Sequence, residues 1–262
     1  MSDVASPPAD LTRRLQVIGA GLPRTGTVSM AMAYEKLLDG PVMHGGTQLL
    51  NREDAYPRLW ARVFDAKFKG DKALTLQLLR EATAGFVAIT DYPGVCFIAE
   101  LQELYPEALV VLVNRDKDRW YKSFEMVAKE ATPPKLRFLL APVPTWRWFP
   151  YIINCIIKAE LARLSVSSYL TPDLLTLHLS WVRDCTPADR FCEVDLKEGW
   201  VPLCRVLNKP VPDEPFPRVN DADSVTQQNR RICAQAWMVW RVIFAAAGFL
   251  VGAGCYLLWV RL

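Results

Sequence analysis

Histidine is nearly missing from this chain of 262 residues: it has two, His44 and His178, far apart in the sequence. A zinc site would then have to come from cysteine, yet the seven cysteines include no C-x-x-C pair. No metal is expected. Cys96, Cys155, Cys185, Cys192, Cys204, Cys233 and Cys255 are scattered and odd in number, which fits reduced thiols facing the cytosol better than a disulfide framework. Net charge is slight, +3, with acids and bases interspersed, so neither a nucleic-acid footprint nor an acidic tail is indicated. The opening residues, M-S-D-V-A-S-P-P-A-D, carry acids and prolines where a secretory leader has a basic start and an apolar core. A cytosolic N-terminus is expected. Internal repeats are absent, and the one biased tract is rich in proline.

A further absence lies inside a motif. Val17-Ile18-Gly19-Ala20-Gly21-Leu22-Pro23-Arg24-Thr25-Gly26-Thr27-Val28-Ser29 reads as a strand, a glycine-rich turn and the start of a helix. Backbone N–H groups of such a turn, aided by the helix dipole, cradle an anion. Gly21 and Gly26 keep the G-x-x-x-x-G-K-[ST] spacing of a nucleotide triphosphatase, but Thr27 and Val28 stand where its lysine and magnesium-binding hydroxyl belong. A dinucleotide fingerprint fails as well, because Arg24 takes the place of the third glycine of G-x-G-x-x-G. What is left is an anion loop with its own cation, Arg24, and hydroxyls at Thr25, Thr27 and Ser29. The plain alternative is an ordinary strand-to-helix turn.

With 51% hydrophobic residues the chain can bury one large core and still carry an appendage. Apolar Leu15, Val17 and Ile18 precede the turn, and Met30, Ala33, Leu37 and Leu38 recur at helical spacing until Gly40-Pro41. A second unit runs through Phe86-Val87-Ala88-Ile89-Thr90, a turn at Asp91-Tyr92-Pro93, and a helix from Cys96 to Tyr105. The apolar run Ala108-Leu109-Val110-Val111-Leu112-Val113 then predicts a buried parallel strand ending at Asn114-Arg115-Asp116. Strands alternating with helices imply an α/β fold with a doubly wound parallel sheet, whose ligands bind at the carboxyl ends of the strands. Residues 1–14 are expected to form a flexible N-terminus, 15–222 the α/β domain, 223–241 a juxtamembrane lead and 242–260 a membrane helix.

Val242 to Val260 has no charged residue and approaches the ~20 residues that span a bilayer. Trp237, Trp240, Tyr256 and Trp259 lie near its ends, and Arg230, Arg231 and Arg241 precede it against Arg261 alone beyond. That asymmetry predicts a single-pass C-terminal anchor with the preceding domain in the cytosol, the endoplasmic reticulum being one suitable membrane. A buried core helix is the alternative. The stretch from Thr132 to Tyr169 cannot be one regular helix, with Pro133, Pro134, Pro142, Pro144 and Pro150 around Trp146, Trp148, Phe149 and Tyr151. Its basic Lys135, Arg137, Arg147 and Lys158 suit a lid or membrane-surface contact; the other option is a helical insertion packed on the core. Pro202 to Pro217 is expected to be an extended surface segment.

Arg115 follows the last of these strands, and Ser123 lies further on along a helical pattern through Trp120, Tyr121, Phe124 and Val127. An arginine fork and a hydroxyl can grip a phosphate from two sides, unless Arg115 bonds Asp116 or Asp118 instead. Together, P-R-T-G-T and R-x-x-x-x-x-x-x-S resemble the two nucleotide signatures of the sulfotransferase family in order and spacing. Glu198 to Asp221, E-G-W-V-P-L-C-R-V-L-N-K-P-V-P-D-E-P-F-P-R-V-N-D, looks like the C-terminal signature of a sulfotransferase-like subfamily frequent in fungi and seen in animals. The resemblance covers roughly Val17 to Asp221. It implies a P-loop-type sheet and the donor 3′-phosphoadenosine 5′-phosphosulfate (PAPS), with PAP as its product. By that likeness Arg24, Thr25, Gly26, Thr27, Val28 and Ser29 hold the 5′-phosphosulfate, and Arg115 and Ser123 the 3′-phosphate. The family commonly has lysine where Arg24 stands, and a basic R-K-G-like loop where this chain has Lys197-Glu198-Gly199.

Sulfuryl transfer is an in-line displacement that needs positioning, charge neutralisation and a base for the acceptor hydroxyl, with no obligatory metal. Cytosolic family members place the base in a K-x-H-x-P segment. Here Ile89-Thr90-Asp91-Tyr92-Pro93 puts Asp91 at the histidine's place, and Golgi-type members use a carboxylate. Asp91 is therefore the candidate base and Arg24 the candidate charge-neutralising cation. His44, in Met43-His44-Gly45-Gly46, is the alternative base or an acceptor contact. Their plain alternatives are a turn-forming aspartate and a loop histidine. His178, on the helical stretch Leu174 to Val182, is expected to be structural. Tyr92 and the aromatics around Trp146 either shape an apolar acceptor pocket or simply pack. The resulting expectation is sulfuryl transfer to a hydroxyl of a lipophilic small molecule, such as a terpenoid of secondary metabolism, at a membrane surface and without a nucleic-acid partner. Two alternatives stay open: the same fold redirected to isoprenoid elimination or cyclisation, and a nucleotide-binding pseudoenzyme or adaptor.

Overall fold

The computed structural model describes residues 6–219 and 222–261. Residues 1–5 of the expected N-terminus, Asn220 and Asp221 of the C-terminal signature, and the side chains of Trp259 and Arg261 lie outside the described residues. Five short strands, β1 (Val17–Gly19), β2 (Val42–His44), β3 (Ala88–Thr90), β4 (Leu109–Val113) and β5 (Phe191–Val194), form one sheet in the order β2-β3-β1-β4-β5. Every pairing is parallel. Between and after them run α1 (Thr27–Leu38), α2 (Ala55–Phe68), α3 (Lys72–Ala82), α4 (Ile98–Leu104), α5 (Lys117–Ala131), α6 (Lys135–Leu140), α7 (Phe149–Leu164), α8 (Asp173–Cys185), α9 (Trp200–Leu207) and α10 (Ala222–Arg261). This is an α/β fold with a parallel sheet at its centre.

The period of the strands explains why both faces are covered. Successive strand residues point to opposite sides. Val17, Val42, Ala88, Val111 and Val113 join one apolar cluster with Met30, Tyr34 and Leu37 of α1 and Trp200 and Leu203 of α9. Their neighbours Ile18, Met43, Ile89, Val110 and Leu112 join the other, with Trp60 and Phe64 of α2, Ile98 of α4, Ile156 of α7 and Leu174 of α8. A strand buried on both faces reads as a continuous apolar run, which is how β4 was legible. β2 and β5 were not predicted. β2 is three residues long, directly after Gly40-Pro41, and β5 is an edge strand whose Glu193 pairs outward with Arg183 at 2.8 Å.

Two further expectations change. Pro202 belongs to α9 rather than to an extended segment: it sits in the helix's first turn, where its missing N–H costs nothing, and only the chain beyond Leu207 is extended. The polar residues after Asp221, read as a short lead, are the opening of α10, continuous with the apolar span. The proline- and tryptophan-rich insertion forms α6, a 3₁₀ turn at Trp146–Trp148, and α7, and it packs on the core instead of standing off as a lid. Leu139, Leu140, Trp146, Ile152 and Ile156 are buried in the same cluster as the sheet. Asp54, at the start of α2, pins it by accepting from Thr145 N at 2.8 Å, Arg147 Nε at 3.0 Å and Trp148 Nε1 at 3.1 Å. The Arg147 guanidinium beside it holds the Asp54 carboxyl below its ordinary pKa.

Candidate functional site

All five strands deliver their carboxyl ends to one rim, and a cleft of about 740 Å³ opens there. It is lined by Arg24 to Ser29 after β1, Asn114 to Asp116 after β4, Arg119 and Ser123 of α5, Asp195 to Lys197 after β5, and Phe216 to Val219. The loop after β1 is wound tightly, since the Leu22 carbonyl accepts from both Thr25 N at 3.1 Å and Thr25 Oγ1 at 2.8 Å. Trp120 of α5 donates its indole N–H to Pro23 O at 2.9 Å and fixes the loop from the side. Gly26 then opens α1 with φ of 98°, and a Cβ there would stand 2.1 Å from Leu196 Cδ1. Only glycine fits. Among the described residues no side chain caps α1, and the N–H groups of such a helix start suit an anion.

The segments around Arg24 and Arg115 are in direct contact. Arg24 Nε donates to Ser123 Oγ at 3.0 Å, and Arg115 Nη1 donates to the Arg24 carbonyl. Arg115 therefore turns toward the loop as well as toward solvent. Asp116 caps α5, accepting from Arg119 N at 2.9 Å. On the far side, Val219 N donates to Ser29 Oγ at 3.2 Å, so the returning C-terminal segment closes onto α1.

Asp91 and His44 do not line this cleft, but Thr27 does, and Thr27 touches both. Its Oγ1 donates to Asp91 Oδ2 at 3.1 Å and lies 3.2 Å from His44 Nε2, which is itself 3.1 Å from Asp91 Oδ2. A carboxylate so close calls for the proton on Nε2. The remaining Asp91 oxygen, Oδ1, accepts from Tyr92 N at 2.6 Å, with Asp91 in a left-handed turn at φ of 70°. His44 is thus no loop residue: it ends β2, buried, beside the end of β3. Gly45 permits this approach, because a Cβ there would stand 1.6 Å from the Tyr92 carbonyl oxygen.

The sulfotransferase-domain family matches residues 16–225. The chain belongs to the sulfotransferase family. It is also similar to Ava biosynthesis cluster protein M of Aspergillus versicolor, with 27% identity over 247 residues, 91% of this chain and 92% of that protein.

In this sulfotransferase fold a buried polar chain runs beneath the site. His178 Nε2 donates to Ala20 O at 2.6 Å, at the root of the anion loop, and its Nδ1 accepts from Arg163 at 2.9 Å. Arg163 pairs with buried Glu160, which accepts from Cys96 Sγ at 3.6 Å, just past the Asp91 turn. Burial and the neighbouring Arg163 hold the His178 pKa down to about 3, while burial raises those of Glu160 and Cys96. His178 is a neutral brace. Tyr92 lies against the same group, its hydroxyl pKa pushed up by burial, and packs rather than opening a cavity.

Sequence reasoning missed Arg218 and Arg119 as cations of the cleft, and Lys197, quoted at the place of the family's basic loop, lines it with them. Arg218 stood in the quoted C-terminal signature, but nothing in a linear reading says that the segment after α9 returns to Ser29. Among the described residues no three His, Cys, Asp or Glu side chains gather as a metal site.

Proposed function

We propose that the chain is a PAPS-dependent sulfotransferase that moves a sulfuryl group to a hydroxyl of a lipophilic small molecule at a membrane surface. The observation that carries this is the joining of two anion-gripping segments, through Arg24 to Ser123 and Arg115 to Arg24, at one cleft. The residues suit a donor with a phosphate at each end. The uncapped start of α1, with Thr27 and Ser29, offers N–H and O–H groups for the 5′ end, and Arg115 and Ser123 for the 3′ end. Lys197, Arg119 and Arg218 add positive charge, and about 740 Å³ lies within the range of small-molecule sites.

The donor would bring an activated sulfuryl group with a phosphate as leaving group. Arg24 and the N–H groups of the loop neutralise the charge that grows on the phosphate side. Asp91 accepts the proton lost by the acceptor hydroxyl, His44 orients the Asp91 carboxylate through Nε2, and Thr27 links that base to the anion loop. The apolar α10 supports a lipophilic acceptor, and the name of the fungal relative, a biosynthesis cluster protein, supports secondary metabolism.

Calorimetric titration with PAP tests the nucleotide half. Arg24→Ala and Arg115→Ala are each expected to weaken binding by about 10- to 100-fold, as for loss of a charge-assisted hydrogen bond. If both variants bind like the unaltered chain, the nucleotide assignment falls. A turnover assay with labelled PAPS over hydroxylated terpenoids, sterols and phenols tests transfer. Tight PAP binding with no labelled product from any of them would make the chain a nucleotide-binding adaptor.

A further inference from the structure

α10 changes surroundings part-way along. Ile232, Cys233, Ala236 and Trp240 form one helical stripe that packs on the main core, with Ala236 fully buried. Beyond Arg241 the protein contact ends, with Val242 69%, Phe249 76%, Leu250 70% and Val251 67% exposed. A core helix would not leave such residues bare. Within Arg230–Ala253 an 18-residue window reaches a mean hydropathy of 1.7 with 6% of its residues buried, which leaves a bilayer as the natural solvent for the far half.

The element at the changeover is α6. Trp240 Nε1 donates to Leu139 O at 3.1 Å, and the Trp240 ring stacks on Phe138 at 4.5 Å with 12° between the planes. Phe244 stacks on Trp240 in turn, at 5.3 Å and 20°. α6 buries Leu139 and Leu140 but leaves Phe138 60% exposed, next to exposed Lys135 and Arg137. Arg230, Arg231 and Arg241 are exposed on the adjoining part of α10.

The geometry points to a second membrane contact: α6, through Phe138, Lys135 and Arg137, rests on the anionic headgroup surface of the bilayer that α10 enters. It builds on the membrane association of the function proposed above. Trp240 and Phe138 lie at the changeover from protein contact to bare apolar helix, the depth at which aromatic rings settle at a membrane interface. A short amphipathic helix with an exposed aromatic and flanking cations suits that interface, and each cation near an anionic leaflet adds attraction within a Debye length. A second copy of the chain fits this face poorly, since it would bring the same cluster of arginines and lysine against itself. The consequence is a domain held at a fixed tilt, with the insertion on the membrane side.

Backbone hydrogen exchange on the full chain reads this directly, in phosphatidylcholine vesicles with and without phosphatidylserine. Amides 135–140 are expected to exchange more slowly when phosphatidylserine is present, while 242–256 stay protected in both. Lys135→Glu with Arg137→Glu should weaken the seating of α6 by about thirtyfold or more, leaving protection of 242–256 and PAP binding unchanged. High salt should act in the same direction. Equal exchange of 135–140 in both vesicles, or indifference to the charge reversal, overturns the proposal. Unprotected 242–256 overturns the anchor and this contact together, whereas loss of PAP binding in the unaltered chain bears on the nucleotide site alone. Arg137→Gln alone, a milder change, should give an intermediate loss; none would count against it.

Discussion

Asp91 has three side-chain or backbone partners among the described residues, and the proposed function gives it the job of a base. Thr27 Oγ1 and His44 Nε2 occupy Oδ2, and Tyr92 N occupies one side of Oδ1. The carboxylate is held in place with a lone pair to spare, which is what a positioned base needs. Asp91→Asn keeps the shape and removes the basicity, so turnover with PAPS should fall by about 10²- to 10⁴-fold while calorimetric PAP affinity stays the same. Equal loss of both would mean that Asp91 only shapes the turn. His178 supports a prediction of another kind. Its folded pKa of about 3 lies below the ordinary 6.5, so between these values the unfolded chain binds a proton that the folded chain refuses. Stability is full above pH 6.5 and declines as pH falls toward 3, by up to about 4–5 kcal/mol from this group. Glu160, with its raised pKa, works in the opposite direction from its ordinary 4.5 upward. Urea denaturation at pH 7 and pH 5 should therefore show a drop that His178→Asn abolishes. At this scale the sequence pointed to residues that sat in a motif, as Arg24, Thr27 and Asp91 did, and the fold brings their segments together. His44 was named there as the alternative base, but its place at the end of β2 could not be read, because that strand is too short to announce itself.

The loop after β1 works as an element because its glycines have no substitutes. Gly26 needs both its left-handed φ of 98° and the space that Leu196 borders, so Gly26→Ala should cost about 1–3 kcal/mol in urea denaturation. Adding Leu196→Ala should relieve the collision but leave the backbone strain, and stability should return only in part. Full recovery would show that crowding alone excludes alanine. β1, β3 and β4 could be read from the chain because each is followed by a turn and a helix and carries an unbroken apolar run. β2 and β5 are shorter or edge-exposed, and their pairing is decided by partners distant in sequence. α9 was misread because proline in a first turn looks the same, in one dimension, as proline in an extended strap. The insertion could not be assigned from composition, since aromatics and basic residues serve a packed helix and a membrane face equally well. α6 packs on the core through Leu139 and Leu140 and leaves Lys135, Arg137 and Phe138 exposed.

For the whole molecule, α10 divides into a part that belongs to the fold and a part that leaves it. Deleting everything from Val242 onward should release the chain from membranes with its melting midpoint unmoved, because that stretch touches little of the domain. Deleting from Ile232 onward removes Ile232, Ala236 and Trp240 from the core and should lower the midpoint by about 5–15 °C. Identical midpoints for the two truncations would mean that the stripe contributes no stability. The broad architecture, an α/β domain followed by an apolar helix, could be read directly from the sequence. The docking of Trp240 on α6 could not, because it joins segments separated by 101 residues. That docking has a mechanical side. The segment that closes the cleft, ending at Val219 on Ser29, leads into α10, so a pull from a moving bilayer would otherwise travel straight to the anion loop. If α10 is anchored as proposed, the clamp of Trp240 against Leu139 and Phe138 lies upstream on that line of force and would take up the load, as strain relief does for a cable, sparing the cleft.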